Sequence, residues 1–185
     1  MISVPTAEDP AAHVKAFYAA HGTVIVIAQA IGALALIPFL LFAQALDRRA
    51  RASDGAERSW IMPAAVVVAI AEIVTNVVPA VIVAMSDATP ATAHTLTKVE
   101  DVADAILFAG LALFAVAVAR GQLGWIRAIG WASAALMLVH AVLSLFGVSV
   151  LEAVAPLSFV AFVLVLSIRV LLQPVPQLDP GAPVT

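Results

Sequence analysis

The sequence predicts an all-α integral membrane protein, a bundle of five transmembrane helices. Hydrophobic residues make up 63% of the 185 residues and charged residues only 11%, and the mean hydropathy is +1.08. Soluble domains carry about 25% charged residues. A chain as apolar as this one needs lipid around most of its surface, so we expect the bilayer to be its main solvent and partner.

Several classes of protein are excluded by what the chain lacks. It has no cysteine, which excludes disulfides, thiolate metal sites and cysteine nucleophiles. Its net charge of -3 indicates no nucleic acid partner. The sequence also has no phosphate-binding loop, dinucleotide-binding glycine motif, zinc-protease motif or serine nucleophile elbow. We therefore expect neither a metal ion nor a cofactor.

The first span is predicted over residues 17–46. Asp9 and Pro10 are typical of a helix start, so the helix should begin near Pro10, outside the bilayer. Residues 22–46 carry no charge, and an uncharged segment of this length can cross the hydrocarbon core. Pro38 should bend this helix, because its ring removes a backbone donor. A polar, arginine-rich loop is expected over 47–58.

Helix-capping residues predict where the next two spans begin. The second covers residues 60–85, and Ser59 can cap it. The third covers residues 98–119, because Thr97 and Glu100 have the spacing of a capping box.

The last two spans are predicted in the same way. The fourth covers residues 128–146, and Gly147 can end it. The fifth covers residues 150–172 and opens on another capping-box pattern. Residues 1–172 then form a single membrane domain. A disordered, proline-rich cytoplasmic tail follows over 173–185.

The arginines predict how the chain sits in the membrane. All seven lie on or next to the side that holds the first and third predicted loops and the C-terminus: Arg48, Arg49, Arg51, Arg58, Arg120, Arg127 and Arg169. The other side has only Lys15 and Lys98. The positive-inside rule places the arginine side in the cytoplasm and the N-terminus outside. Specific partner binding by the first arginine run is the alternative, but topology alone explains the run.

Polar residues inside the spans form two predicted layers. At 1.5 Å per residue from the cytoplasmic end of its span, Glu72 is about 18 Å deep and His140 about 19 Å deep. A second layer lies about 24–26 Å deep. Its members come from the spans and their outer ends: Gln29, Asn76, Asp104, Ser144 and Glu152. This layering predicts a cavity that opens to the outside and narrows towards Glu72 and His140.

The layers suggest roles for these residues. Ionisable groups are costly in lipid, so each needs a partner, a wet cavity or a function. Glu72 and His140 are the candidate catalytic pair, and the outer layer is the candidate substrate-binding set. Simpler explanations stay open. Glu72 and His140 could hold helices together, Glu152 could cap a helix, and Asp104 could belong to a solvated rim.

Two resemblances are recognisable. The segment Ala155-Pro156-Leu157-Ser158-Phe159, which leads into an apolar helix ended by Arg169, resembles a pattern in small uncharacterised actinobacterial membrane proteins. This resemblance implies no catalytic residue. An acid within a span, Glu72, is similar in kind to the site of integral membrane terpene cyclases, whose intramembrane acids protonate an isoprenoid. This chain departs from that site type, because no tryptophan adjoins Glu72 and aromatic residues are few.

Three functions follow as hypotheses. The first is a membrane-embedded enzyme acting on an apolar, isoprenoid- or sterol-like molecule, with Glu72 as general acid or base and His140 relaying the proton. The second is a carrier or binding protein for a small molecule or cation. The third is an accessory subunit that packs as a homo-oligomer or against a membrane partner. The Ala-, Val- and Leu-rich composition resembles membrane proteins of high-GC bacteria, so a multi-pass protein of the bacterial inner membrane is expected.

Overall fold

The computed structural model describes residues 5–6, 8–54, 59–85, 87–148 and 150–172. These residues form five α-helices and no strand: α1 (Ala11–Asp54), α2 (Ile61–Ala84), α3 (Pro90–Arg120), α4 (Trp125–Ser144) and α5 (Val154–Leu172). Each helix is long and apolar enough to cross a membrane. The predicted five-helix, all-α fold is therefore confirmed, and the length and composition of all five helices are compatible with a multi-pass membrane protein. The tail predicted over 173–185 lies outside the described residues.

α3 is the central helix of the bundle. It packs against α1, α2 and α4, while α1 also packs against α2 and α5 packs against α4. Small buried residues along α3 explain this position: Ala103, Ala105, Gly110, Ala112, Ala115 and Ala119. Small side chains let neighbouring backbones approach closely, which is how helices pack in a membrane.

The close packing is clearest where α3, α4 and α5 meet at Gly130. A Cβ atom on Gly130 would lie 2.7 Å from the Cβ of Ala119 and 2.9 Å from a ring carbon of Phe162. Nearby, the Ser133 hydroxyl donates to the carbonyl of Ser158 at 3.0 Å, which ties α4 to α5. α5 is therefore held to the bundle by both packing and a hydrogen bond.

α1 begins at Ala11, next to the predicted helix start near Pro10, but extends beyond its predicted end at Leu46. Its 44 residues are about 66 Å long at 1.5 Å per residue, well beyond a hydrocarbon core of about 30 Å. At its far end it continues to Asp54, through most of the predicted polar loop. The Arg51 Nε atom lies 2.8 Å from Asp47 Oδ2, one turn away, and pairs at this spacing stabilise a helix.

The start of α1 also differs from the expected cap. Pro10 precedes the first helical residue, and its carbonyl accepts from the backbone N–H groups of His13 and Val14. The Asp9 carboxylate instead accepts from the backbone N–H of Thr6 at 2.9 Å. That hydrogen bond lowers the pKa of Asp9.

The prediction that Thr97 caps the third span is wrong. α3 begins at Pro90, and the Thr89 hydroxyl accepts from the backbone N–H of Thr92 at 3.2 Å. Thr89 thus supplies the cap and Pro90 the favoured first residue. Thr97 is buried inside the helix, where its hydroxyl donates to the carbonyl of Ala93 at 3.2 Å.

The remaining helix ends differ from their predicted positions by a few residues. α2 begins within one residue of its prediction, and the Ser59 hydroxyl accepts from the backbone N–H of Ile61 at 3.3 Å. α4 begins at Trp125, three residues earlier than predicted, and ends at Ser144. Gly147 follows it with a φ of 68°, a conformation that glycine adopts without strain. α5 begins at Val154, after a turn, rather than at 150.

Candidate functional site

The centre of the candidate site is a side-chain pair on α2. The Asn76 amide donates to Glu72 Oε1 at 2.8 Å and to the backbone carbonyl of Glu72 at 2.6 Å. Asn76 is buried and Glu72 is half-buried. Because residues four apart lie on one face of a helix, local sequence brings this pair together.

α1 covers this pair at Gly32. A Cβ atom on Gly32 would lie 2.6 Å from Asn76 Oδ1 and 3.1 Å from Glu72 Oε1. The helix backbone can therefore approach the polar pair only because residue 32 has no side chain. Such close approach also shields the pair from lipid on the α1 side.

Gly32 was not among the predicted site residues, although the sequence carries a signal for it. Counted back from Leu46 at 1.5 Å per residue, Gly32 is about 21 Å deep. That depth falls between the values predicted for Glu72 and Asn76. A glycine at the depth of a polar pair on a neighbouring span indicates close approach of the two helices.

Asp104 lies within electrostatic range of carboxyl groups from three parts of the chain. Asp104 of α3 interacts with Asp101, with Glu72 of α2 and with Glu152 in the turn before α5. Glu100, one turn before Asp104, interacts with Asp101 and Asp104. We call these five residues the acidic network: Glu72, Glu100, Asp101, Asp104 and Glu152.

α1 contributes a second polar contact to this network. The Tyr18 hydroxyl donates to Glu100 Oε2 at 2.9 Å. Tyr18 is only 2% exposed, so the contact is an internal tie between α1 and α3. The capping-box pattern predicts a helix-cap role for Glu100, and Tyr18 was not among the predicted site residues.

His140 lies on α4 and is 4% exposed. Its ring packs edge-on against Phe108 of α3, with centroids 4.3 Å apart. Its Nδ1 atom is buried and has no hydrogen-bond partner in the described part of the chain. His140 also interacts electrostatically with Glu152. The imidazole therefore keeps one ring nitrogen unused.

Glu72 and His140 lie on different helices, and α2 and α4 both pack against α3. Glu72 interacts electrostatically with Asp104, and His140 with Glu152. Within the described ranges, no hydrogen bond joins Glu72 to His140. That they share one cavity stays a prediction.

Two members of the predicted outer layer make no described contact with this network. Gln29 is half-buried on α1, three residues before Gly32. The Ser144 hydroxyl donates to the carbonyl of Ala141 on its own helix at 3.1 Å. Glu152 is exposed in the turn before α5, where it interacts with Asp104 and His140.

The arrangement is suited to proton transfer. One Glu72 oxygen is held by Asn76, and Oε2 has no hydrogen bond within the described residues. A carboxyl with one oriented and one unpartnered oxygen can donate or accept a proton. No group of three or more histidines and acids in the described ranges has the geometry of a metal site.

Comparison of the chain with protein-family models, with curated proteins and with solved structures finds no match.

Proposed function

We propose that the chain is a membrane-embedded enzyme that acts on a lipid-soluble small molecule by acid/base chemistry at Glu72. The observation that supports this most directly is the state of the Glu72 carboxyl. It lies in the middle of an apolar helix, one oxygen is oriented by Asn76, and the other is unpartnered among the described residues. A carboxyl held in this way is oriented for proton exchange with a bound molecule.

The proposed chemistry needs no cofactor. Glu72 donates a proton to a carbon–carbon double bond, and loss of a proton from a neighbouring carbon restores the carboxyl. The net change is an isomerisation or a cyclisation, because the ligand gains one proton from Glu72 and loses one proton to it. Asp104 and His140 hold or relay the proton, while Asn76 positions the acid. Isoprenoid- and sterol-like molecules fit, because they carry such double bonds and partition into lipid.

We propose further that the N-terminus lies outside and the C-terminus in the cytoplasm of a bacterial inner membrane. The arginine asymmetry supports this orientation. The acidic network would then lie in the outer half of the bundle. A reporter fused after Thr185 should be active only in the cytoplasm, and one inserted at 87–89 only outside. The reverse pattern would overturn the orientation.

The test of the enzyme proposal is turnover of isoprenoid- and sterol-like compounds by purified protein in detergent, followed by mass spectrometry. Glu72→Gln keeps shape and hydrogen bonding but cannot exchange a proton, so it should abolish turnover. Glu8→Gln is the matched control, because Glu8 is exposed outside the helices, and it should retain full turnover. Full turnover by Glu72→Gln would exclude proton chemistry at this residue.

A second candidate, a carrier for an organic cation, is favoured by the charge of the network. The charged groups that act on Glu100 and Asp104 are other carboxyls, and a cluster of carboxyls attracts cations. Proteoliposomes that accumulate an aliphatic amine unchanged, with loss of uptake in Asp104→Asn, would favour this function. Chemical conversion of the ligand would favour the enzyme.

A further inference from the structure

A groove separate from the acidic network lies between α4 and α5, at the end where α4 begins and α5 finishes. Its volume is about 390 Å³, within the range of about 300–1,000 Å³ that is usual for small-molecule sites. It is lined by Trp125, Ile126, Val165, Ile168, Arg169 and Leu172. Four of these residues are aliphatic, so the groove has apolar walls and one cation.

The α5 side of the groove is a single helix face. Val165, Ile168 and Leu172 follow the spacing of three to four residues that aligns side chains along a helix. Ile168 is 57% exposed and Leu172 is 78% exposed. An apolar face open to the surroundings of a membrane helix contacts hydrocarbon chains.

Arg169 supplies the charge at this face. It lies in the last turn of α5, and no ion pair or hydrogen bond of its guanidinium occurs within the described residues. An arginine beside apolar walls can bind an anion, because its planar fork matches phosphate geometry. Arg169 therefore places a positive charge next to the apolar walls of the groove.

Trp125 indicates that the groove is at the membrane edge. It is the first residue of α4 and is 64% exposed. Tryptophan is enriched at the level of lipid headgroups, where its ring meets both hydrocarbon and water. α4 also starts without a side-chain cap, so its first backbone N–H groups add donors at the same end.

We infer that this groove binds an anionic phospholipid, with the phosphate on Arg169 and an acyl chain along Val165, Ile168 and Leu172. The ligand combines the two features that the groove presents, a negative headgroup and an apolar chain. A soluble phosphate lacks the chain, and a zwitterionic phospholipid lacks the net charge. This site is independent of the proposed chemistry at Glu72.

The experiment is native mass spectrometry of the full chain in detergent with added phosphatidylglycerol or phosphatidylcholine. The wild-type protein should retain phosphatidylglycerol preferentially. Arg169→Gln should weaken that binding about tenfold or more, as expected for loss of one charge-assisted hydrogen bond. Arg48→Gln is the matched control, because Arg48 is an exposed arginine of α1 that does not line the groove, and it should leave binding unchanged.

Several results would overturn the inference. These are equal retention of both lipids, unchanged binding by Arg169→Gln, or an equal loss in Arg48→Gln. If the protein forms dimers and binds no lipid, and Arg169→Gln abolishes the dimers, a second copy of the chain occupies the groove.

If Arg169→Gln fails to fold, a photoactivatable phosphatidylglycerol can be tested on the wild-type protein instead. It should cross-link to residues 165–172 or 125–126, and cross-links only elsewhere would also refute the site.

Discussion

The side-chain amide of Asn76 holds the carboxyl of Glu72, four residues earlier on α2, through a hydrogen bond of 2.8 Å. The same amide donates to the Glu72 backbone carbonyl at 2.6 Å. Asn76 thus ties the rotamer of the acid to the helix backbone. In the proposed enzyme it acts as a positioning residue, and Glu72 is the group that exchanges the proton.

Asn76→Ala should lower turnover about tenfold or more, because the carboxyl loses the donor that orients it. The pH profile of the rate should shift as well, since the hydrogen bond acts on the titrating group. Thr75→Val is the control. It removes the hydroxyl donor to the Glu72 backbone carbonyl, 3.0 Å away, but leaves the carboxyl contact intact. An unchanged pH profile in Asn76→Ala would leave Asn76 a purely structural residue.

Gly32→Ala should disturb the same pair from the opposite helix. The new Cβ would lie 2.6 Å from Asn76 Oδ1, so the amide must move or α1 must retreat. Overpacking of this kind costs about 1–3 kcal/mol, which thermal unfolding in detergent would detect. Binding or turnover of the ligand should fall as well.

Gly22→Ala is the control that separates loss of stability from loss of ligand binding. Its Cβ would lie 2.8 Å from Cγ1 of Val83, so it strains the α1–α2 interface without touching the acid. We expect both variants to be destabilised and only Gly32→Ala to lose ligand binding. Equal loss of binding in the two variants would contradict a specific role for Gly32.

Tyr18→Phe should loosen the attachment of α1 to α3. The variant keeps the ring and removes the donor to Glu100, a contact of 2.9 Å. An intramolecular hydrogen bond contributes about 0.5–1.5 kcal/mol, so the unfolding temperature should fall. A double-mutant cycle with Glu100→Ala should give a coupling energy above the additivity error of about 0.3–0.5 kcal/mol. Additive effects would mean that the pair contributes no net stability.

Thr89→Ala should destabilise α3 by about 1 kcal/mol, the usual cost of losing an N-cap. The Thr89 hydroxyl accepts from the backbone N–H of Thr92 at 3.2 Å, and alanine cannot replace that acceptor. Hydrogen exchange of residues 91–93 should quicken while α2 is unaffected. Thr89→Ser, which keeps the hydroxyl, is the control and should behave like the wild-type protein.

Much of the fold was predictable because it depends on local sequence. Five long apolar segments determine five helices, since only helices satisfy the backbone of a single segment in lipid. The spacing of four between Glu72 and Asn76 predicts a shared face, and their side chains meet. Capping patterns in the sequence were less reliable predictors of where helices begin. The Thr97 pattern has the form of a helix start, but Thr89 and Pro90 supply a cap and a first residue eight and seven positions earlier.

Only the tertiary structure decided which helices are neighbours. Lipid-facing and partner-facing surfaces are equally apolar, so hydrophobic periodicity does not distinguish them in a membrane protein. Which helices become neighbours depends on small residues that let two particular helices approach each other closely, such as Gly32 next to Asn76 and Gly130 next to Phe162. It depends also on distant polar partners, such as Tyr18 and Glu100, which are 82 residues apart. These contacts form between surfaces that are brought together only when the helices pack.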